Sequence, residues 1–250
     1  MSDTIKNLLL KYQEIKSLPI GSAVNINQIK NLLEKVNPLL IKIKAENRIS
    51  TPHYNFFRIL KIGYLEAKVH TPFLVNLLSP DGTHDQGRLF LDAFLKLISE
   101  NNERFINYLP ANIQIKAEHK TSKGIIDIII SHRHPKADKS FLIIIENKIF
   151  AGDQENQIER YYYHALDELK LSEDQITIVY LTPRQFSPSE YSINLQLMDK
   201  LKSQGQLKLL GYNSDILTML SKCNQQVVSE KLRQTINQYL EILNDFNDEN

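Results

Sequence analysis

The spacing of apolar residues changes period along this chain, and the changes divide it into helical and extended segments. Residues 3–17 and 26–46 carry Leu and Ile at helical spacing with Lys and Glu between them, which predicts two amphipathic helices. "RISTPHY" breaks the pattern and reads as a joint. Helical spacing returns in "NFFRILKIGYLEAKV". In "HTPFLVNLLSPDGTH", Thr71 before Pro72 predicts a helix start, a hydroxyl cap followed by proline at the first position. Phe73, Leu74, Leu77 and Leu78 form its apolar stripe and "SPDG" a turn. Residues 86–100 predict another helix, with Leu89, Phe90, Phe94, Leu95 and Ile98 on its buried side.

From residue 112 the period falls to two. "NIQIKAEHK" alternates as a half-buried strand does, whereas "GIIDIIISH" and "FLIIIENKI" are almost wholly apolar, as strands covered on both faces are. The short connections between them predict an antiparallel meander. Residues 154–170 read as a helix, and "QITIVYLTP" as a fourth strand, parallel to the third across that helical crossover. "PRQFSPSEYS" is a loop, "LKLLGY" a short edge strand, and "SDILTML" and 226–246 are helical. The expected fold is α/β, a mixed central sheet with helices on both faces and further helices at each end. Residues 1–50 form a helical extension in this reading and 51–250 the main domain.

Composition narrows the class. The chain has 250 residues, 42% hydrophobic and 24% charged, which is enough to bury a real core. No apolar run approaches the ~20 residues that span a bilayer. "MSDTIKNLLLKYQEIKS" lacks the basic-then-apolar layout of a secretory signal, so the expectation is a cytoplasmic protein with no membrane partner. A lone cysteine, Cys223, excludes an internal disulfide and a cysteine-rich zinc site. A net charge of +1 argues against coating nucleic acid by bulk charge, though it permits a local basic groove around an acidic metal site.

The chemistry concentrates in the two apolar strands. Asp127 sits among isoleucines, and "IIIENK" ends in Glu146 and Lys148 two positions apart. If the strands are antiparallel neighbours, alternation puts Asp127 and Glu146 on one face near the sheet's end. Two carboxylates in an apolar sheet repel each other and are costly to bury unpaired. A divalent cation with a preference for oxygen ligands, Mg²⁺ or Mn²⁺, would relieve both penalties. Lys148 projects with Glu146 and would orient an attacking water or stabilise phosphate charge. The plain alternative is a solvated strand end, with Glu146 and Lys148 on the rim and Asp127 in a salt bridge.

"GIIDIII…IIIENK" resembles the signature of the PD-(D/E)XK nucleases, an Asp on one core strand and (D/E)-x-K on the next. The following "QIERY" is similar to the Q-x-x-x-Y element of many members, here Gln157 and Tyr161. Upstream, Glu66, His70, Thr71, Leu77, Leu78, Pro80, Gly87, Phe90 and Leu91 match the N-terminal block of one branch, which has a Glu before a His-Ser/Thr step. "LLGYNSDILTML" and "INQYLEILN" look like that branch's C-terminal pattern, so the resemblance spans roughly residues 55–245. Ile126 stands where the name implies proline, which has no chemical role in metal binding.

The resemblance implies a restriction-endonuclease-like core and hydrolysis of phosphodiester bonds. It implies that Asp127, Glu146 and the backbone carbonyl of Asn147 ligate Mg²⁺, with Mn²⁺ able to substitute. Lys148 positions the water and Glu66 adds a metal or water contact. Gln157 and Tyr161 steady the catalytic strand or touch the phosphate backbone. Lys123 and His84 are further candidates for nucleic-acid contact, His84 with a capping role as its alternative. Glu118 reads as an exposed strand-end carboxylate, with a place near the metal as its alternative, and "RYYYH" as a packed helix face with one exposed tyrosine, with base stacking as its alternative. The expected partner is nucleic acid, DNA ahead of RNA, with a setting in bacterial defence or a mobile element. A homodimer follows if both strands of a duplex are cut, since that needs two active sites. The competing reading is a catalytically silent module of the same fold that binds nucleic acid or a protein.

Overall fold

A computed structural model describes residues 26–99, 105 and 108–247, so the helix expected at 3–17 lies outside the described residues. The chain divides between Tyr54 and Asn55 into two units. In the first, α1 (Ile26–Ser50) runs four residues beyond the expected end and contains Pro38.

The second unit is built on a five-stranded sheet whose spatial order is the order of the sequence. β1 (Ile113–Thr121), β2 (Gly124–His132) and β3 (Phe141–Asn147) form the expected antiparallel meander. β4 (Ile176–Thr182) joins β3 in parallel, and β5 (Leu207–Gly211) joins β4 in parallel at the edge. β3 and β4 are buried at every position, which is why their sequences do not alternate.

Each face of the sheet carries its own core. On one face lie α2 (Phe56–Ile59), α3 (Thr71–Leu78), α4 (Leu89–Ser99), α7 (Leu217–Asn224) and α8 (Glu230–Asp245). They pack on Ile128, Ile130, Ile143, Ile145, Val179 and Leu181. On the other face lie α5 (Gln157–Tyr163) and α6 (Leu195–Ser203), packed on Ile129, Leu142, Ile144, Ile178 and Tyr180. The two sets alternate along β3 and β4, as strand geometry requires.

Two local readings are corrected. Thr71 does not cap a helix start. A π-helical turn, Glu66–His70, runs directly into α3, so the Thr71 backbone N–H bonds to the Glu66 carbonyl and its hydroxyl is turned elsewhere. The sequence reading also assigned nothing to α6, the crossover between β4 and β5. Its stripe of Leu197, Met198 and Leu201 is short and set among polar residues, and only the Asn194 side chain, which accepts from the Leu197 N–H, marks its start.

Among the described residues no helix is long and apolar enough to cross a membrane. Ile144 is fully buried in the second core. Ile144→Ala is expected to lower stability by about 3 kcal/mol, read from urea unfolding curves, through lost burial and the cavity left behind.

Candidate active site

The site begins with a break in the sheet. β1 and β2 pair Ala117 with Ile128 and His119 with Ile126, which leaves Glu118 opposite Asp127 with neither in the ladder. Glu118 takes a left-handed conformation, φ 47°, uncommon for a residue with a side chain. On the other side, pairing of β2 with β3 starts only at Ile128 and Ile145. Ile126 packs into the second core and Ile128 into the first, so β2 turns at Asp127. The missing rung is replaced by a side chain: Asp127 Oδ2 accepts the Asn147 backbone N–H at 2.8 Å.

β3 supplies the rest. Alternation sends Glu146 to the second face, after Leu142 and Ile144, and Asn147 to the first, after Ile143 and Ile145. Glu146 is 1% exposed. Its Oε1 accepts from Lys148 Nζ at 2.8 Å and from Gln157 Nε2 at 2.8 Å. Its Oε2 is buried with no hydrogen-bond partner. The Lys148 side chain is only 8% exposed. The expected grouping of Asp127, Glu146 and Lys148 is therefore present, with Lys148 paired to Glu146 rather than to Asp127, and inside the protein rather than on a solvated rim.

Asn147 is fixed from behind. Its Nδ2 donates to Thr71 Oγ1 at 3.0 Å, and Tyr212 OH donates to its Oδ1 at 3.0 Å. His70 hydrogen-bonds Tyr239 OH through Nδ1 and the Gly63 carbonyl through Nε2, both at 2.8 Å, and its ring lies 5.2 Å from that of Tyr212. Glu66 Oε2 accepts the Ile149 N–H at 2.7 Å. The N-terminal block thus holds residues 147–149 in place, and Glu66 does so through the backbone. Tyr212 and Tyr239 lie in "LLGYNSDILTML" and "INQYLEILN", the C-terminal pattern noted in the sequence, but nothing there singled out either tyrosine as a partner of a strand over sixty residues upstream.

On the front face α5 braces both strands. Gln157 links Glu146 to the Tyr161 hydroxyl, and Tyr161 OH donates to the Ile125 carbonyl. At 2% and 1% exposure, Gln157 and Tyr161 lie inside the protein, bracing the strands rather than facing solvent. Tyr162 is also buried and Tyr163 exposed, the pattern expected of that helix. Lys123 sits exposed at the β1–β2 turn, where its carbonyl accepts from Arg160. His84 is turned inward: Nε2 bonds the Ser79 carbonyl at 3.0 Å, Nδ1 accepts the Gln86 N–H at 2.9 Å, and neither nitrogen is left for a phosphate. It braces its loop, the capping alternative.

Burial and repulsion set the charge state. Burial raises Asp127 to about 6, against the Asn147 N–H that favours its ionised form, and Glu66 adds to the rise. Burial and the Asp127 charge raise Glu146 to about 8 despite Lys148. For Lys148, burial favours the neutral amine, but Glu146, Asp127 and Glu66 outweigh it and the pKa is raised. Burial lowers His70 to about 4, so it is neutral at ordinary pH.

A bare buried carboxylate oxygen beside a second carboxylate is a donor set that suits a hard divalent cation. Among the described residues no three His, Cys, Asp or Glu side chains form a metal-holding group. Two carboxylates are a set that Mg²⁺ accepts, completing its shell with water and phosphate oxygens. In comparison with known proteins, the family model of the PD-(D/E)XK nuclease superfamily matches residues 54–241. No curated protein and no solved structure gives a significant match.

Two outcomes follow from the geometry. Glu146 and Asp127 ionise at 4.5 and 3.8 when unperturbed and at about 8 and about 6 here, so the folded chain holds more protons between those limits. Their contribution to stability is full below about pH 4 and declines as pH rises to about 8. The lowered His70 works oppositely, its contribution being lost as pH falls. In EDTA, wild type should therefore lose stability relative to Glu146→Gln by a few kcal/mol between about pH 5 and pH 8, measured by thermal melting. Tyr212→Phe leaves Asn147 Oδ1 without its donor and should lower stability by about 1–2 kcal/mol, read from urea unfolding curves.

Proposed function

The chain belongs to the PD-(D/E)XK nuclease superfamily, and we propose that it is itself a Mg²⁺-dependent nuclease that hydrolyses phosphodiester bonds in DNA. The observation that carries this reading is Glu146. One oxygen is saturated by Lys148 and Gln157, the other is buried and bare, and Asp127 lies beside it. A scaffold with no chemistry has no reason to keep such a group in its core.

Asp127, Glu146 and the Asn147 carbonyl would hold the metal, Mg²⁺ or Mn²⁺. When bound, a divalent cation supplies charge stabilisation at the phosphate and lowers the pKa of an attacking water. Lys148 presents an ammonium, held by Glu146, that donates to the water or to a phosphate oxygen. Gln157 keeps Glu146 Oε1 in place, and Tyr161 ties α5 to the start of β2 next to Asp127. Glu66 fixes the backbone just after Lys148. Lys123, exposed at the turn leading into β2, would meet the phosphate backbone. A homodimer would bring two such sites to a duplex. A setting in bacterial defence or a mobile element suits an enzyme that degrades foreign DNA.

The purified full chain should cleave supercoiled plasmid or single-stranded DNA in Mg²⁺ and not in EDTA. Asp127→Ala and Lys148→Ala should each lower the rate at least about 100-fold while the protein stays folded by circular dichroism. Undiminished cleavage by Lys148→Ala, or no cleavage of any nucleic acid by wild type, would overturn the reading.

A further inference from the structure

The sheet end that carries Glu146 and Lys148 is bordered by the loops that follow β3 and β4. These loops are laced together. Asp153 accepts the Tyr180 hydroxyl at 2.8 Å through Oδ1, and the Ser189 N–H and hydroxyl at 2.8 and 2.7 Å through Oδ2. The Asn156 N–H donates to the Tyr191 carbonyl at 2.7 Å. The Phe186 N–H donates to Thr182 Oγ1 at 2.7 Å. Phe150 follows Ile149, whose N–H is held by Glu66, and its ring meets that of Phe246 edge-on at 6.3 Å. Arg184 Nε donates to the Phe246 carbonyl at 2.6 Å, which brings the second loop to the same place.

These pinned loops nonetheless hold aromatic rings in solvent. Phe150 is 60% exposed, Phe186 58% and Tyr191 59%. One exposed apolar residue is ordinary. Here three exposed aromatic rings stand on two tied loops that border one end of the sheet. Ile125, two residues before Asp127, is exposed at the same end of the sheet.

We propose that Phe150, Phe186 and Tyr191 form a stacking platform for unpaired bases, so that the substrate is a single-stranded or locally opened DNA segment. The inference rests on the nuclease reading and names its substrate class. Phosphate contacts alone do not distinguish an opened strand from a duplex. Stacking of a base on an aromatic side chain contributes about 1–3 kcal/mol and needs no particular sequence. In a duplex the base faces are already stacked on one another and cannot reach these rings. Lys123 and Arg160 lie at the β1–β2 turn, Arg160 bonded to the Lys123 and Glu155 carbonyls. A strand lying across the sheet end would offer its phosphates to these cations and its bases to the rings.

The test measures binding in EDTA by fluorescence anisotropy, with three labelled probes: a single-stranded DNA oligonucleotide, its blunt duplex, and an abasic strand of equal length. Wild type should prefer the single strand. Phe150→Ala and Phe186→Ala should each weaken that binding about tenfold, leave the abasic strand unchanged, and keep the wild-type melting temperature. Phe150→Trp should restore or strengthen it. Equal affinity of wild type for duplex and single strand, or equal loss by the variants on the abasic probe, would overturn the inference while metal-dependent plasmid cleavage left the nuclease reading standing. Selective single-strand binding without cleavage in Mg²⁺ would sustain the platform and overturn the nuclease.

Discussion

The end of β3 sets two adjacent residues against opposite faces of one sheet, and the site depends on that constraint. Glu146 enters the face covered by α5, where Gln157 and Lys148 saturate one of its oxygens. Asn147 enters the face covered by α3 and α8, where Thr71 and Tyr212 each bond its amide. A strand has period two, so no single helix could hold both side chains. The sheet has to be covered on both sides before either is fixed. That is why the residues that matter to a three-residue stretch are drawn from positions 66 to 239.

The break at Asp127 works in the same direction. A regular ladder would direct its side chain along the strand's alternation and fill its backbone bonds. Here β2 turns, Glu118 adopts a left-handed conformation opposite it, and the Asp127 carboxylate supplies the rung. The carboxylate is thereby anchored to the backbone of the residue that follows Glu146. The two acids cannot drift apart without breaking a charge-assisted hydrogen bond. The repulsion between them, with burial, keeps both carboxyls reluctant to ionise. A site of this kind stores an electrostatic demand in a rigid frame, and rigidity is what keeps relaxation from dissipating it.

Much of this was legible beforehand. The meander, the parallel fourth strand, the edge strand and the helix carrying Gln157 all follow from apolar period and from connection length. Asp127, Glu146 and Lys148 stood out because charge inside a continuous apolar run is costly and therefore informative. The readings that changed share one cause. Thr71, Gln157 and Tyr161 find partners on other elements and His84 within its own loop, and a polar side chain looks alike in sequence whether it faces a ligand or a backbone carbonyl. Thr71 looked like a cap because Pro72 follows it; the π-helical turn before it made that cap unnecessary. α6 escaped notice because its apolar stripe is only three residues wide.

By itself the sequence determined which residues are apolar at period two or near four, and so where strands and helices lie and which strands are buried on both faces. It also placed an acid in one strand and an acid and a base in the next, since register between close antiparallel neighbours is short-range. Only the tertiary structure decided how those groups are held. Whether an oxygen of Glu146 is bonded or bare, and whether Lys148 pairs with Glu146 or Asp127, depend on how separate elements pack together. Period and propensity are properties of neighbouring residues, whereas the pairing of buried polar groups belongs to the packed whole.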